Sequence, residues 1–516
     1  MRDFARVSFC VGRHRRRGCA CLDLPALECA NDAIRDNRPG PGCGHRGRFG
    51  LSGKALSLQV FSCAENPEWK ACKIPNDNSV AKGFTMSDAK QLTPEGYMPR
   101  LVENRLDALM ESFGCVEING PKWCGKTWTA RTRCTSMTKL DDPAEREAAE
   151  MDPSLALMGD PPHLVDEWQE VPEVWDAARR FVDDAGNKRG MLLLTGSTAL
   201  KADEREKVRH TGTGRIARLS MRPMALCESG EGDAKASLRA LLDGEALRPA
   251  RKETGLADVA RWCCRGGWPA NIGLSDEAAA ETASQYIRSV LDVNVIEDGR
   301  SPETALALLR ALAMNVSQAA TYKTLARDAS GGESGPDVDT VAAYLDLFDR
   351  LKLTEGLHGW EPPMRAKARV RVKPKRYFCD PSLAAALLGA TPQALLHDAQ
   401  TLGMLFENLV IRDLRVFLST YAGLGNELHY YRDDQGLEVD AVVECGGRWG
   451  GVEVKLSDAK ADEGAANLKK LRDKVAANPA ARNAGPAFLA VVVGRGNLAY
   501  TRDDGVMVIP AALLGA

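Results

Sequence analysis

Two glycines five positions apart, followed by a lysine and a threonine, stand at Gly120-Pro-Lys-Trp-Cys-Gly125-Lys126-Thr127. The spacing G-x-x-x-x-G-K-[ST] suits phosphate chemistry. Backbone N–H groups of the loop and of the helix it opens can cradle an anion, and Gly120 and Gly125 let the backbone come close to it. Lys126 then reaches the β- and γ-phosphates, and the Thr127 hydroxyl offers an oxygen to Mg²⁺. The context agrees. The apolar run "CVEIN" (115–119) precedes the loop and the helix-compatible "TWTARTRC" (127–134) follows it. A second stretch, "HLVDEWQ" (163–169), ends an apolar run with two adjacent carboxylates, which are costly at the end of a buried strand unless they serve cations. Asp166 is expected to hold Mg²⁺, and Glu167 to polarise the attacking water. "TGS" (195–197) adds Thr195 and Ser197 as polar groups facing the γ-phosphate. The cofactor set implied is ATP with Mg²⁺. In "HTGTGRIARLSMRPM" (210–224) the arginines are Arg215, Arg218 and Arg222. Arg215, beside Gly214, is expected to act as an arginine finger on a neighbouring subunit's nucleotide.

A separate constellation lies near the C-terminus. "LEVDAVVE" (437–444) and "GVEVKLS" (451–457) read as an antiparallel strand pair joined by "CGGRWG". Period-two alternation puts Glu438, Asp440 and Glu444 on one face of the first strand, and Glu453 with Lys455 on one face of the second. Asp440, Glu453 and Lys455 then converge. This is similar to the D…E-x-K arrangement of the PD-(D/E)xK nuclease fold, except that Val439 rather than proline precedes Asp440. Asp440 and Glu453 would give a divalent metal oxygen ligands, and Lys455 would orient the attacking water. On the helix "GMLFENLVIRDLRVFL" (403–418), Glu407 falls within the apolar arc near Leu414 and Leu418, where that fold places a glutamate facing the metal. Asp413 also falls near that arc.

The elements that must position these groups follow from pattern. With 516 residues the chain is too long for one core. The formal net charge of −2 excludes a chain built as a whole to coat nucleic acid. No apolar run reaches the roughly 20 residues of a membrane helix, so the expectation is a cytoplasmic protein with no membrane contact. There are fifteen cysteines, seven of them before residue 85, without the paired spacings of a metal site. Residues 1–54 carry 11 Lys/Arg against 5 Asp/Glu, and 36–50 show neither helical nor strand periodicity. This predicts a disordered basic leader over 1–85, or translation upstream of a start at Met86. From Arg100 an amphipathic helix leads into short apolar strands separated by helices, the signature of a parallel sheet covered on both faces.

In the middle, "DVDTVAAYLDLFDRLKL" (337–353) carries Val341, Leu345, Phe348 and Leu351 on one stripe and is the third helix of a winged-helix-like domain. Its opposite side carries Asp337, Asp339, Asp346 and Asp349, which repel phosphate and suit a protein partner. "RAKARVRVKPKR" (365–376) alternates Arg365, Lys367, Arg369, Arg371 and Lys373 with apolar residues. As a strand, that segment would offer a cationic strip to DNA or RNA.

Residues 97–229 resemble a bacterial AAA-type P-loop ATPase family fused to a C-terminal nuclease-like domain of unknown function. The resemblance rests on "YMPRLVENRL", "GPKWCGKT", "LVDEWQEVPEVWDAARR", "LLTGST", "GTGRIARLSMRPMALCESG" and "GGWP". It runs on through "KPKRYFCDPSLAAALLG" (373–389) to about residue 495 and leaves 1–85 uncovered. It implies ATP binding and hydrolysis. The expected architecture is α/β. An AAA-type P-loop NTPase domain with a helical lid covers 86–300, a winged-helix-like domain 301–376, and a restriction-endonuclease-like domain 377–516. The nucleotide state would control the last domain. The alternative is a non-catalytic, ATP-dependent switch that docks a partner protein. A homo-oligomer would supply the neighbour that Arg215 needs.

Overall fold

The computed structural model describes residues 92–196, 208, 210–332, 335–360, 373–423, 425–481 and 485–516. The chain divides after Thr85 into two units, and all described residues fall in Met86–Ala516. The expected leader, Ser197 and residues 365–372 of the basic strip lie outside the described residues.

Five strands form a parallel sheet: β1 (Cys115–Asn119), β2 (Ser136–Lys139), β3 (His163–Asp166), β4 (Leu192–Gly196) and β5 (Ile216–Ser220), in the order β2-β3-β4-β1-β5. The central strands are buried along almost their whole length, and mostly apolar, because both faces are covered. Helix α1 (Glu103–Ser112) packs Leu106 and Leu109 on one face. Helix α2 (Lys126–Arg131) starts directly after the loop, and α3 (Val174–Asp184) buries Val174, Trp175 and Ala178 on the other face. Parallel strands share one polarity, so the ends of β1, β3 and β4 bring the loop, Asp166 and Thr195 to one edge. In the register, Thr195 pairs with both Ile118 and Asp166.

Two short strands, β6 (Ala236–Ser237) and β7 (Ala250–Thr254), follow. Next come helices α4 (Leu256–Arg265), α5 (Asp276–Ser289), α6 (Pro302–Met314), α7 (Tyr322–Ala329) and α8 (Val338–Arg350). An antiparallel hairpin closes this section: β8 (Thr354–Leu357) against β9 (Lys375–Phe378). Ser301, Thr321 and Asp337 cap α6, α7 and α8, each accepting a backbone N–H of the first turn. The aspartates of α8 are largely spoken for within the chain. Asp337 is that cap, Asp346 pairs with Arg350, and Asp349 accepts from Thr354.

The C-terminal part holds α9 (Pro381–Leu387), packed among helices, and α10 (Ala399–Ser419) and α11 (Ala461–Ala476), packed on a mixed sheet. Its strands are β10 (Glu427–Arg432), β11 (Glu438–Cys445), β12 (Arg448–Ser457), β13 (Phe488–Thr501) and β14 (Met507–Pro510), in that spatial order. β10, β11 and β12 are antiparallel neighbours, and β12, β13 and β14 parallel ones. Two pairings tie earlier segments into this sheet's neighbourhood. β7 runs antiparallel to β13, and β6 pairs with β15 (Leu514–Gly515).

A buried ionic knot fastens four segments together. The Arg412 guanidinium on α10 contacts Asp380 at 2.8 Å and Asp413 at 2.8 Å. Asp380 also accepts the Gly267 N–H, and Asp413 the Leu226 N–H. Asp413 therefore sits in the apolar arc as the partner of Arg412 and of the Leu226 backbone. No described helix is long and apolar enough to cross a membrane.

Candidate nucleotide site and C-terminal carboxylate cluster

The loop between β1 and α2 is shaped by two backbone constraints. Gly120 passes so close to the neighbouring chain that a Cβ there would lie 2.1 Å from the Met221 carbonyl oxygen. Gly125 caps α2 with φ +100°, the left-handed region open to glycine. Trp123 also takes positive φ (64°) and stands edge-on to Tyr286 at 5.4 Å. Lys126 is buried, and its Nζ donates to the Pro121 carbonyl inside the loop at 2.9 Å.

The Thr127 hydroxyl donates to Asp166 Oδ1 at 2.9 Å, and Thr195 Oγ1 donates to the same oxygen. Burial pushes the Asp166 pKa up, while the two hydroxyl donors pull it partly back. Thr127 and Asp166 thus present two oxygen ligands at one point at the edge of the loop, a donor set that fits Mg²⁺. Glu167 follows in the left-handed region (φ 53°, ψ 47°) and accepts from Gln169 Nε2 at 2.6 Å. Gly125, Lys126, Thr127, Asp166 and Glu167 all line one cleft of about 860 Å³. Thr195 reaches Asp166 directly, as a buried neighbour, rather than facing a ligand.

Arg100 is a residue that sequence reasoning missed. Its side chain is buried against Glu228 (Nε to Oε1 3.0 Å, both side chains 2% exposed). Nη1 donates to the Cys124 carbonyl of the loop at 2.7 Å, and Nη2 to the Arg222 carbonyl at 2.8 Å. The loop is therefore pinned from outside by a guanidinium whose charge Glu228 neutralises.

The three arginines after Gly214 take different places. Arg215 stands at the start of β5, the end of the sheet away from the chain's own loop, and pairs with Asp183 at 2.7 Å. Arg218 pairs with Glu117. Arg222 leaves the sheet and binds Glu355 on β8.

In the C-terminal sheet, β11 and β12 form the expected antiparallel ribbon. Asp440, Glu453 and Lys455 lie on one side of it, and Glu407 approaches from α10. Their partners differ from the expected metal set. Lys375, from β9, is 3% exposed and inserts among the acids. Its Nζ lies 3.0 Å from Glu407, 2.6 Å from Glu438 and 3.4 Å from Asp440. Tyr377 donates to Glu407 at 2.7 Å. The second Asp440 oxygen accepts the Val454 N–H at 2.9 Å. Glu453 is bound by Lys455 at 2.9 Å and by Asn467 at 3.3 Å. Among the described residues, no group of three His, Cys, Asp or Glu side chains is arranged to hold a metal ion. Two members of the expected metal set, Glu407 and Asp440, thus share the Lys375 ammonium, while Glu453 pairs with Lys455.

The electrostatics carry the mark of this crowding. Burial, with Asp440 adding to it, pushes Glu453 up to about 8 and Glu407 up to about 7. Burial alone would lower the Lys375 pKa. Glu407 first, then Tyr377, Asp440 and Glu438, reverse this and hold it well above the usual lysine value.

Lys375 also alters the reading of the basic segment. It has the parity of the expected cationic face but points inward. Arg376 donates to the Ala320 carbonyl at 3.0 Å and lies over the Tyr322 ring. Lys375 and Arg376 are thus bound within the chain, while Lys373 is exposed.

Comparison with known proteins agrees with the loop. Residues 112–229 match the model of an AAA domain family. Residues 256–394 and 402–514 match two domains of unknown function, DUF8612 and DUF4143. The chain is 27% identical over 361 residues to the uncharacterized protein Rv2008c of Mycobacterium tuberculosis, covering 68% of this chain and 72% of the relative. The uncharacterized protein Mb2031c of Mycobacterium bovis gives the same figures. Among solved structures, the Walker-type ATPase PABY2304 of Pyrococcus abyssi is 13% identical, with a TM-score of 0.39, covering 58% of this chain and 98% of that one. The chain thus carries an AAA-type P-loop domain, joined to two domains whose families have no assigned task.

Proposed function

We propose that this protein is a Mg²⁺-dependent ATPase whose nucleotide state governs a C-terminal nuclease-like module that engages nucleic acid. The observation that carries the first half is the Thr127–Asp166 hydrogen bond of 2.9 Å at the edge of the glycine loop. It brings the two metal-holding oxygens together from α2 and β3, with Lys126 and Glu167 in the same cleft. When bound, Mg²⁺ would neutralise phosphate charge. The chain's own residues do the rest. The loop backbone orients the phosphates, Lys126 draws off negative charge, and Glu167 orients the attacking water. Arg215, half-exposed at the far end of the sheet, would serve a neighbouring copy rather than its own loop.

The second half is supported by contact. Arg100 touches the loop at Cys124 and the chain at Arg222. Arg222 binds Glu355, Glu355 binds Arg415 on α10, and α10 carries Glu407. A change at the loop thus has a connected route toward the carboxylate cluster, first through backbone carbonyls bound by Arg100 and then through the Arg222–Glu355–Arg415 ion pairs. The alternative, a switch with a silent nuclease-like scaffold, draws its support from Lys375 within the acids.

The test is ATP turnover by the full chain, with and without Mg²⁺, and with single- or double-stranded DNA or RNA added. The proposal expects Mg²⁺-dependent phosphate release that rises with at least one nucleic acid. Turnover indifferent to every nucleic acid would favour the switch.

A further inference from the structure

The nuclease-like reading of the C-terminal sheet implies a divalent metal at Glu407, Asp440 and Glu453, and the side chains present do not fit one. A hard cation needs several oxygens at roughly 2.0–2.6 Å. Here Lys375 Nζ already lies 3.0 Å from Glu407 and 3.4 Å from Asp440. A metal bound to those oxygens would sit against the ammonium, two positive charges with no room for water between them. The rest of Asp440 is taken by the Val454 N–H, and Glu453 by Lys455 and Asn467.

We propose that Lys375 is an internal counterion that stands where the divalent metal would bind, so that the seated lysine and the metal exclude one another. The inference rests on the nuclease-like reading and deepens it.

Three observations support it. First, the lysine is built in rather than draped over the surface. It comes from β9, which is held to β8 by antiparallel pairing, with Lys375 opposite Leu357. Its ammonium faces the Tyr430 ring at 5.6 Å, and its side chain is 3% exposed. Second, the charge count leaves room for exchange. Lys375 and Lys455 face four acids, Glu407, Glu438, Asp440 and Glu453. Removing Lys375 deepens the negative charge there and frees the Glu407 and Asp440 oxygens it holds for a dication. Third, Lys455, the lysine expected to serve the attacking water, is already paired with Glu453. Both lysines of the cluster are thus held by carboxylates rather than left to orient a water. The consequence is that the module binds nucleic acid without cutting it for as long as Lys375 is seated.

The experiment is calorimetry with Mn²⁺ on the full chain without nucleotide, beside thermal unfolding with and without Mn²⁺. Wild type should show no Mn²⁺ binding that depends on Asp440. Lys375→Met should bind one Mn²⁺ saturably, and adding Asp440→Asn should abolish it. At Mn²⁺ about 100 times its Kd, the folding constant of Lys375→Met should gain about 100-fold. If Lys375→Met is unfolded alone, Mn²⁺ should refold it, because ligand binding then supplies folding free energy. Two results would overturn the proposal. One is Mn²⁺ binding by wild type that Asp440→Asn removes. The other is a Lys375→Met chain that neither binds Mn²⁺ nor is refolded by it. Phosphate release, read separately on wild type, reports on the glycine loop alone. Failure of this inference is therefore distinguishable from failure of the ATPase reading.

Discussion

Arg222 and Arg415, one leaving the parallel sheet and the other on the long C-terminal helix, close on the same carboxylate. Arg222 Nε lies 3.0 Å from one oxygen of Glu355, and Arg415 Nη1 lies 2.6 Å from the other. All three side chains are largely buried, from 11% to 21% exposed. Burial alone would raise the Glu355 pKa, but Arg222 and Arg415 outweigh it and hold the carboxyl below its usual range. One acid thus bridges two guanidiniums from two parts of the fold.

Removing that acid should leave two like charges facing each other. Glu355→Ala is expected to cost about 3–5 kcal/mol in denaturant unfolding, the range for breaking a buried pair from one side. Adding Arg222→Met should recover part of the loss, because one of the two orphaned cations goes with it. Additive losses in the double-mutant cycle would show that the three groups do not act as a unit.

Arg100 gives a second stability test with a functional readout. Arg100→Ala strands Glu228, whose side chain is 2% exposed, and frees the Cys124 carbonyl of the loop. The expected cost is about 3–5 kcal/mol, with weaker ATP binding by calorimetry. Arg100→Lys should not rescue it, because an ammonium lacks the planar fork that spans Glu228, Cys124 and Arg222. Full ATP affinity in Arg100→Ala would mean that the loop holds its shape unaided.

How much of this was legible in the sequence depends on the kind of contact. β1 was readable to the residue because a buried parallel strand is mostly apolar and this one runs straight into the glycine loop. β3 and β4 were readable to within a residue. The loop and its two carboxylates were readable because phosphate chemistry fixes residue type and spacing. The β11–β12 ribbon was readable by alternation. Strand β7 was not, since "ARKET" (250–254) carries charges on an edge and its partner lies far along the chain. Lys375 was seen only as the end of a basic run. No local pattern says that one lysine of such a run turns inward to meet acids from a helix and a strand. The same holds for Arg100, Glu228 and Glu355, each of which has an ion-pair partner more than a hundred residues away. Glu407 betrayed itself by lying in an apolar arc, although its neighbour proved to be an ammonium.

The carboxylate cluster predicts a pH dependence. Glu453 and Glu407 are raised in the folded chain, to about 8 and about 7, from an ordinary 4.5. A raised carboxyl binds its proton more tightly when folded. Its contribution is fully present below about pH 4.5 and is lost as pH rises through 7 and 8. The thermal midpoint of wild type should therefore fall between pH 5 and pH 9 more steeply than that of Glu453→Gln. Parallel slopes for the two proteins would contradict the raised value.

Residues 1–85 lack hydrophobic periodicity, and the chain divides after Thr85. A chain beginning at Met86 should keep the thermal midpoint and the ATPase rate of the full sequence. A clearly lower midpoint by calorimetry would show that the leader packs on the rest.

The central claim is that the glycine loop and its acids form an ATP-hydrolysing site. The direct measurement is phosphate release alongside ATP binding, in wild type, Lys126→Ala and Glu167→Gln, each with Mg²⁺. The account predicts turnover in wild type and loss of binding or turnover in Lys126→Ala. It predicts retained binding without turnover in Glu167→Gln, where the phosphate and metal contacts survive and the water loses its orienting carboxylate. Equal turnover in Glu167→Gln and wild type, or no ATP binding by wild type at all, would contradict it.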